Sequence, residues 1–193
     1  MQHSNKLGEK LSGRNKEEMP NIAFHIMTTI MKLVDLLGNR SSKNFKTLNL
    51  KKGQTVIDYG CGPARYIRNV SSCVGEEGKV IAVDIHPLAI KKVKLKIEKF
   101  KLTNVKAVLA NGYNTPIAKE TADVIYALDV FHMIEHPKKF LTELSRLLKQ
   151  EGKIIIEDGH QPRSETIKKI KKSDVLTIIQ ETEFHVECKK KDS

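Results

Sequence analysis

From Thr55 onward the chain alternates short apolar runs with longer segments of helical period. Thr55–Tyr59, Lys79–Asp84, Val105–Leu109, Ala122–Ala127 and Lys153–Glu157 are short β-rich runs, bounded by turn residues. Between them, Pro63–Val74, Pro87–Phe100 and His136–Lys149 carry apolar residues at helical spacing. Pro87 suits a first helical position, where its missing N–H would have had no partner anyway. Such alternation predicts an α/β fold, a doubly wound and mainly parallel sheet covered on both faces. Beyond the fifth strand a basic helix is expected near Ser164–Lys172, followed by strands Val175–Gln180 and Phe184–Lys189. The turn between those two is too short for anything but antiparallel pairing. The expected sheet therefore has seven strands and ends in an antiparallel C-terminal hairpin.

Upstream, Ile22–Leu37 reads as an N-terminal helix. His25, Thr28, Thr29, Lys32 and Asp35 fall on one narrow polar stripe, while Ile22, Ile26, Ile30, Val34 and Leu37 occupy the rest. Gly38 suits its C-cap. It is too short and too charged to span a bilayer, which takes about 20 consecutive apolar residues. Met1 to Met19 is polar and mixed in charge, unlike a secretory signal or an anchor, and is expected to be flexible. The expected organisation is a flexible N-terminus over residues 1–19, a helix and linker over 20–50 that could serve as a lid, and one catalytic domain over 51–193. A chain of 193 residues fits one such domain, long enough to bury a core without disulfides or a structural metal.

The net charge of +11 comes largely from lysines in the first two thirds of the chain. Its densest part, Lys91, Lys92, Lys94, Lys96, Lys99 and Lys101, lies in one expected helix, with no interleaved aromatics or arginines. That is the pattern of a solvated helix face, so a nucleic-acid partner stays open but is not favoured. Cys61, Cys73 and Cys188 are too few and too scattered for a disulfide framework or a zinc site. Reduced thiols in the cytoplasm are expected; oligomeric state is left open.

The most informative stretch is Val56-Ile57-Asp58-Tyr59-Gly60-Cys61-Gly62-Pro63-Ala64, followed by Val80-Ile81-Ala82-Val83-Asp84. A strand running into Gly-x-Gly can turn tightly and let a ligand approach its backbone. The next helix then offers free N–H groups. Asp84 ends the second strand at about the spacing where a carboxylate binds ribose hydroxyls, so a nucleoside ligand is implied. The loop reads Gly-Cys-Gly-Pro-Ala rather than Gly-x-Gly-x-x-Gly, which disfavours a dehydrogenase.

These residues resemble the first motifs of the class I S-adenosylmethionine-dependent methyltransferases, which have a Rossmann-like fold. The resemblance continues through Leu109-Ala-Asn-Gly112, the segment Asp123 to Ile134, and Phe140 to Gly152, so it covers roughly Lys52 to Gly159. It implies S-adenosyl-L-methionine as cofactor. By position, Asp58 would orient its methionine end, with Gly60, Cys61 and Gly62 forming the loop around it. Asp84 would hold the ribose, Ile85 and Gly112 would flank the adenine, and Ala127 would offer its carbonyl to the methionine ammonium. Two residues depart from the usual pattern. Ala64 stands where many members have a third glycine, and Asn111 where an aspartate often meets the adenine amino group; an amide oxygen can accept the same hydrogen bond.

The sulfonium cofactor is an activated donor, so the protein must mainly align a nucleophile and exclude water. Candidate acceptor-side groups follow the fourth and fifth strands: Asp129 and His132 on one, His160 and Asp158 on the other. All lie at the carboxyl edge, where doubly wound sheets bind ligands. Asp129, His132 and His160 are the catalytic candidates. Each has a plainer alternative: His132 can pack a turn, His160 can face solvent and Asp158 can cap the following helix. No metal is assigned, although two carboxylates and two histidines could bind a divalent ion, as in catechol-type O-methyltransferases. No Asn-Pro-Pro-Tyr segment follows the fourth strand, nor a cysteine able to attack a pyrimidine. The remaining resemblance is to small-molecule methyltransferases, those of quinone biosynthesis included, and no substrate-specific motif decides among them. The expected function is methyl transfer to a small molecule, apolar ones included. The alternatives are an RNA methyltransferase using the basic surface and a non-catalytic S-adenosylmethionine-binding module.

Overall fold

The computed structural model of the chain describes residues 19–37, with only the backbone over 31–37, and residues 47–191. The expectations for the first 18 residues, for Gly38 and for most of the linker lie outside the described residues. The elements are α1 (Asn21–Leu37), β1 (Thr55–Tyr59), α2 (Ile67–Val74), β2 (Lys79–Asp84), α3 (Pro87–Phe100), β3 (Val105–Leu109), β4 (Ala122–Ala127), a 3-10 turn (Phe131–Met133), α4 (Pro137–Leu147), β5 (Leu148–Glu157), α5 (Arg163–Ser173), β6 (Leu176–Glu181) and β7 (His185–Lys190).

The strands form one sheet in the order β3-β2-β1-β4-β5-β7-β6. β1 to β5 run parallel, and β7 pairs antiparallel with both β5 and β6. After β3 the chain returns to the far side of β1, so the order reverses between β1 and β4. A crevice at the carboxyl ends of those two strands is where such sheets hold ligands.

Strand residues alternate between two apolar layers. On one face Ile57, Val83, Ile125, Ile154 and Ile156 pack with Phe140, Leu141 and Leu144 of α4 and Ile170 of α5. On the other, Val56, Val80, Val124 and Ile155 pack with Ile67, Val70 and Val74 of α2 and Val93 of α3. Cover on both faces explains why the central strands read as unbroken apolar runs. Among the described residues no helix is long and apolar enough to cross a membrane.

Most boundaries fall within two residues of expectation; three features depart further. α2 starts at Ile67, not Pro63, because Gly62 (φ +49) and Ala64 (φ +55) are left-handed and a right-handed helix cannot include them. β5 begins at Leu148, straight after α4, and its pairing with β4 jumps from Ala122↔Leu148 to Val124↔Lys153. Gly152 permits this irregularity, since an added Cβ would lie 2.7 Å from the Leu148 side chain and 3.0 Å from the Asp123 carbonyl. The third concerns α1. Thr28, expected on its wet stripe, is buried together with Phe24, whereas Ile22, Ile26 and Ile30 are at least half exposed. The stacking of Phe24, described below, dictates that orientation.

Candidate cofactor and acceptor site

β1 delivers the chain into the glycine loop, which is pinned to β2: the Gly60 and Cys61 N–H groups both donate to the Val83 carbonyl, at 2.8 and 3.0 Å. Gly60 has φ +79, and a Cβ there would meet Val130 at 2.8 Å, so position and packing both demand glycine. Gly62 is also left-handed, but nothing lies within 4 Å of its would-be Cβ. The loop thus presents bare backbone to open space.

Asp84 closes the rim of this cradle. One carboxylate oxygen accepts from Gly62 N–H and the other from His86 N–H, each at 2.8 Å. Burial raises its pKa, and those N–H groups oppose the rise. Each oxygen keeps a further lone pair for a hydroxyl donor. Beneath the loop, Asp58 is almost fully buried. Burial pushes its carboxyl up to about 7; the Tyr126 hydroxyl opposes this, the charge of Asp84 adds to it, and Lys96 subtracts. Tyr126 is the register partner of Asp58 across β1 and β4. Its buried hydroxyl interacts with the carboxylate without meeting full hydrogen-bond geometry, and it has no other partner among the described residues. Cys61 is buried in the loop and its thiol is pushed well up. All three cysteines are free.

Two large apolar side chains near Asp84 are exposed: Ile85, the next residue, at 37 %, and Leu109, the register partner of Asp84 on β3, at 49 %. Asn111 and Gly112, after β3, are exposed as well. Asn111 exchanges backbone hydrogen bonds with Asn114 at 3.0 and 3.1 Å, closing a tight loop. Ala127 is buried at the end of β4.

Beyond β4 and β5, Asp129, His132 and His160 come together. His132 Nδ1 and His160 Nε2 each lie 3.9 Å from Asp129 Oδ1, and the two imidazoles meet edge to face at 5.0 Å. The His132 side chain is 17 % exposed and that of His160 83 %. Burial lowers the His132 pKa; Asp129 opposes this, while His160 and Lys169 reinforce it. Gly159 lets the ring in, because a Cβ there would collide with His132 Nδ1. Asp158 does not join the group. Both its oxygens are held by Arg163 Nε, at 2.9 and 2.8 Å, and Arg163 also donates to the Thr182 carbonyl. Nor does Asp158 cap α5, whose N-cap is Pro162.

Several contributors escaped the sequence reading. Lys96, expected on a wet helix face, donates to the Ala64 carbonyl at 2.7 Å and so fastens α3 to the loop. Glu143, buried on the apolar face of α4, accepts from the N–H and hydroxyl of Thr115 at 3.1 and 2.8 Å and is gripped by Arg146 at 2.7 Å. Burial pushes its pKa up, but Arg146 and Thr115 outweigh that and hold it low. This clamp fastens the loop after Asn111 to α4. A lone acid among Phe140, Leu141, Leu144 and Leu147, with an arginine three residues on, was its sequence signal. Finally, Phe24 of α1 is 2 % exposed and stacks on His86 at 4.5 Å and 16°. His86 Nδ1 accepts from Leu88 N–H while Nε2 bonds the Met19 carbonyl at 2.9 Å, a pattern that calls for the neutral Nε2–H tautomer. α1 therefore docks two residues from Asp84.

A family model described as a methyltransferase domain matches residues 50–192. Among curated proteins, the ubiquinone/menaquinone biosynthesis C-methyltransferase of Salmonella arizonae is 26 % identical over 164 residues, 80 % of this chain and 65 % of that protein. The chain thus spans about 65 % of the length of this curated relative. A solved SAM-dependent methyltransferase from Aquifex aeolicus is 25 % identical with a TM-score of 0.65, covering 77 % of this chain and 87 % of its own. A TehB-like SAM-dependent methyltransferase from Corynebacterium glutamicum superimposes with a TM-score of 0.69 at 16 % identity, over 88 % of this chain and 99 % of its own. The chain belongs to the methyltransferase domain family, with the class I, S-adenosylmethionine-dependent fold.

Proposed function

We propose that this domain transfers a methyl group from S-adenosylmethionine to a small molecule by in-line displacement. The observation that carries the reading is an open glycine loop with Asp84 at its rim, on the same sheet edge as Asp129, His132 and His160. Bound in the cradle, the cofactor supplies a methyl on a sulfonium, which leaves as a neutral thioether when the acceptor attacks. Asp84 accepts hydrogen bonds from the ribose hydroxyls, Ile85 and Gly112 flank the adenine beside Asn111, and Asp58 with the Ala127 carbonyl receives the methionine ammonium. Asp129, His132 and His160 engage the acceptor and hold its nucleophilic atom in line with the methyl. Helix α1 acts as a lid: it docks beside Asp84 through the stack of Phe24 on His86 and the Met19–His86 hydrogen bond, and its linker is long enough to let it reposition. The free cysteines suit a reducing compartment, and we assign the domain to the cytoplasm.

The test is transfer of labelled methyl from S-adenosylmethionine to cell extracts divided into small molecules, RNA and protein. Label in the small-molecule fraction is expected. Label in RNA, lost steeply with added salt, would favour a substrate drawn by the exposed Lys91, Lys94, Lys99 and Lys101. Cofactor binding without label in any fraction would leave a binding module.

A further inference from the structure

We propose that Asp129, His132 and His160 form a divalent transition-metal site on the acceptor side, and that the acceptor binds this metal through oxygen. The choice of acceptor rests on the methyl-transfer reading above; the metal site itself rests on geometry alone. One carboxylate oxygen and two imidazole nitrogens, one from each histidine, lie within 4.8 Å of one another. At 3.9 Å the two histidine–carboxylate approaches are too long for hydrogen bonds, so the groups converge without satisfying one another. His132 Nδ1 is inaccessible to water and has no partner among the described residues. An orphaned buried nitrogen is costly, and its persistence asks for an explanation such as an ion.

Bonds of about 2.1 Å to a shared ion place neighbouring ligand atoms roughly 3.0 to 3.4 Å apart. Drawing the present 3.9 Å approaches to that spacing takes about 0.5 to 0.9 Å, and the two imidazole nitrogens, within 4.8 Å of each other, close by at most about 1.8 Å. His160, whose side chain is largely exposed, is free to make it. The backbone accommodates the convergence: Asp129 is held at φ +53, and Gly159 leaves the space that His132 Nδ1 fills. Arg163 keeps Asp158 away, so the donor set stays at two imidazoles and one carboxylate. That set suits zinc, cobalt, nickel, manganese or iron rather than magnesium or calcium, which prefer all-oxygen shells. Three protein ligands leave at least one coordination position open, and an acceptor oxygen fills it. Coordination lowers the pKa of that oxygen and fixes it as the nucleophile. The proton leaves to solvent, the new bond forms between oxygen and methyl, and the carbon–sulfur bond of the donor breaks.

The experiment is titration of the chelator-treated 193-residue chain with Co2+, read by visible absorption, and with Zn2+, read by calorimetry. The wild type should bind one ion and show the ligand-field bands of a nitrogen and oxygen site. His160→Ala and Asp129→Asn should weaken that binding by roughly a hundredfold, since losing outer-shell partners alone costs about 10–100-fold. His136→Ala, outside the cluster, should not. His160→Ala alters a largely exposed side chain, so its fold should survive, and its melting curve checks that. Equal metal affinity in the wild type and both cluster variants would overturn the site, as would absence of the ligand-field bands. S-adenosylhomocysteine binding is measured on the same samples without metal. If metal binds and the nucleoside does not, the methyl-transfer reading falls while the metal site stands; the converse result refutes the site alone.

Discussion

Replacing Asp58 with asparagine should flatten the pH dependence of S-adenosylhomocysteine binding between pH 5.5 and 7. The Asp58 carboxyl, lifted to about 7 chiefly by burial, is mostly protonated in the empty protein at the lower end of that range. A ligand ammonium selects the ionised form, so affinity rises with pH and levels off above about 7. With a free-state pKa of about 7, the ionised fraction grows from roughly 3 % at pH 5.5 to about half at pH 7. Affinity in the wild type should therefore rise roughly fifteenfold, or about 1.6 kcal/mol. The range stays below that in which amino groups lose their proton. Asp84 on β2, Lys96 on α3, Tyr126 on β4 and Cys61 in the loop also face this carboxyl, and all remain in the Asp58→Asn variant, so its comparison with wild type isolates Asp58. Stability follows the opposite sense from a salt-bridged acid. The folded pKa lies above the ordinary 3.8, so the folded state holds its proton more tightly, and stability falls as pH rises from about 4 to 7. At 1.36 kcal/mol per unit the loss is at most about 4 kcal/mol, and Asp58→Asn should recover part of it above pH 7. Calorimetry at several pH values gives the affinity, and denaturant titration gives the stability. Equal pH slopes in wild type and variant would refute the reasoning.

Asp84→Ala should weaken S-adenosylhomocysteine binding at least about tenfold, since each lost charge-assisted hydrogen bond is worth about 1.5 to 3 kcal/mol; unchanged affinity in a folded variant would count against the ribose assignment. Gly60→Ala meets Val130 as well as left-handed strain and should cost about 2 to 4 kcal/mol by denaturant titration. Gly62→Ala has open space and should lose only about 1 to 2 kcal/mol, yet still bind cofactor poorly because its methyl occupies the cradle. The idea of an open seat fails if it binds normally. His132→Ala and Asp129→Asn should each cut turnover by roughly a hundredfold while leaving cofactor affinity within about twofold; wild-type rates in both from pH 6 to 9 would displace the active site. Removal of residues 1–38 should leave a folded domain that binds cofactor but turns over poorly, and either unfolding or an undiminished rate would rule out the lid.

Strand positions were readable because burial on both faces leaves an unbroken apolar run, and β1 to β4 fall where the pattern puts them. The glycine loop and Asp84 were readable because their chemistry constrains consecutive residues. What stayed hidden depends on partners distant in sequence or on backbone angles that side-chain identity does not announce. Nothing in the letter code marks Ala64 as left-handed, so α2 was started too early. Asp158 stood among the acceptor-side groups with a helix cap as its plainer alternative, and Arg163, five residues on, instead claims it. The buried face of α1 was misplaced, although His25 and Thr29 are exposed as expected, because helical periodicity weighs three isoleucines above one phenylalanine, whereas the aromatic ring found His86 to stack on.

The placement of β7 between β5 and β6 bears on how the chain folds. Until residues 185–190 have been synthesised, the backbone edge of β5 along Ile154, Ile155 and Ile156 has no neighbour on that side. An unpaired edge on an apolar strand is a template for wrong pairing with another chain. The β6–β7 hairpin must then enter with its later strand innermost, so the sheet completes its order only after the last strand has left the ribosome. A released chain ending at Glu181 should therefore aggregate or recruit chaperones more readily than one that includes Lys190.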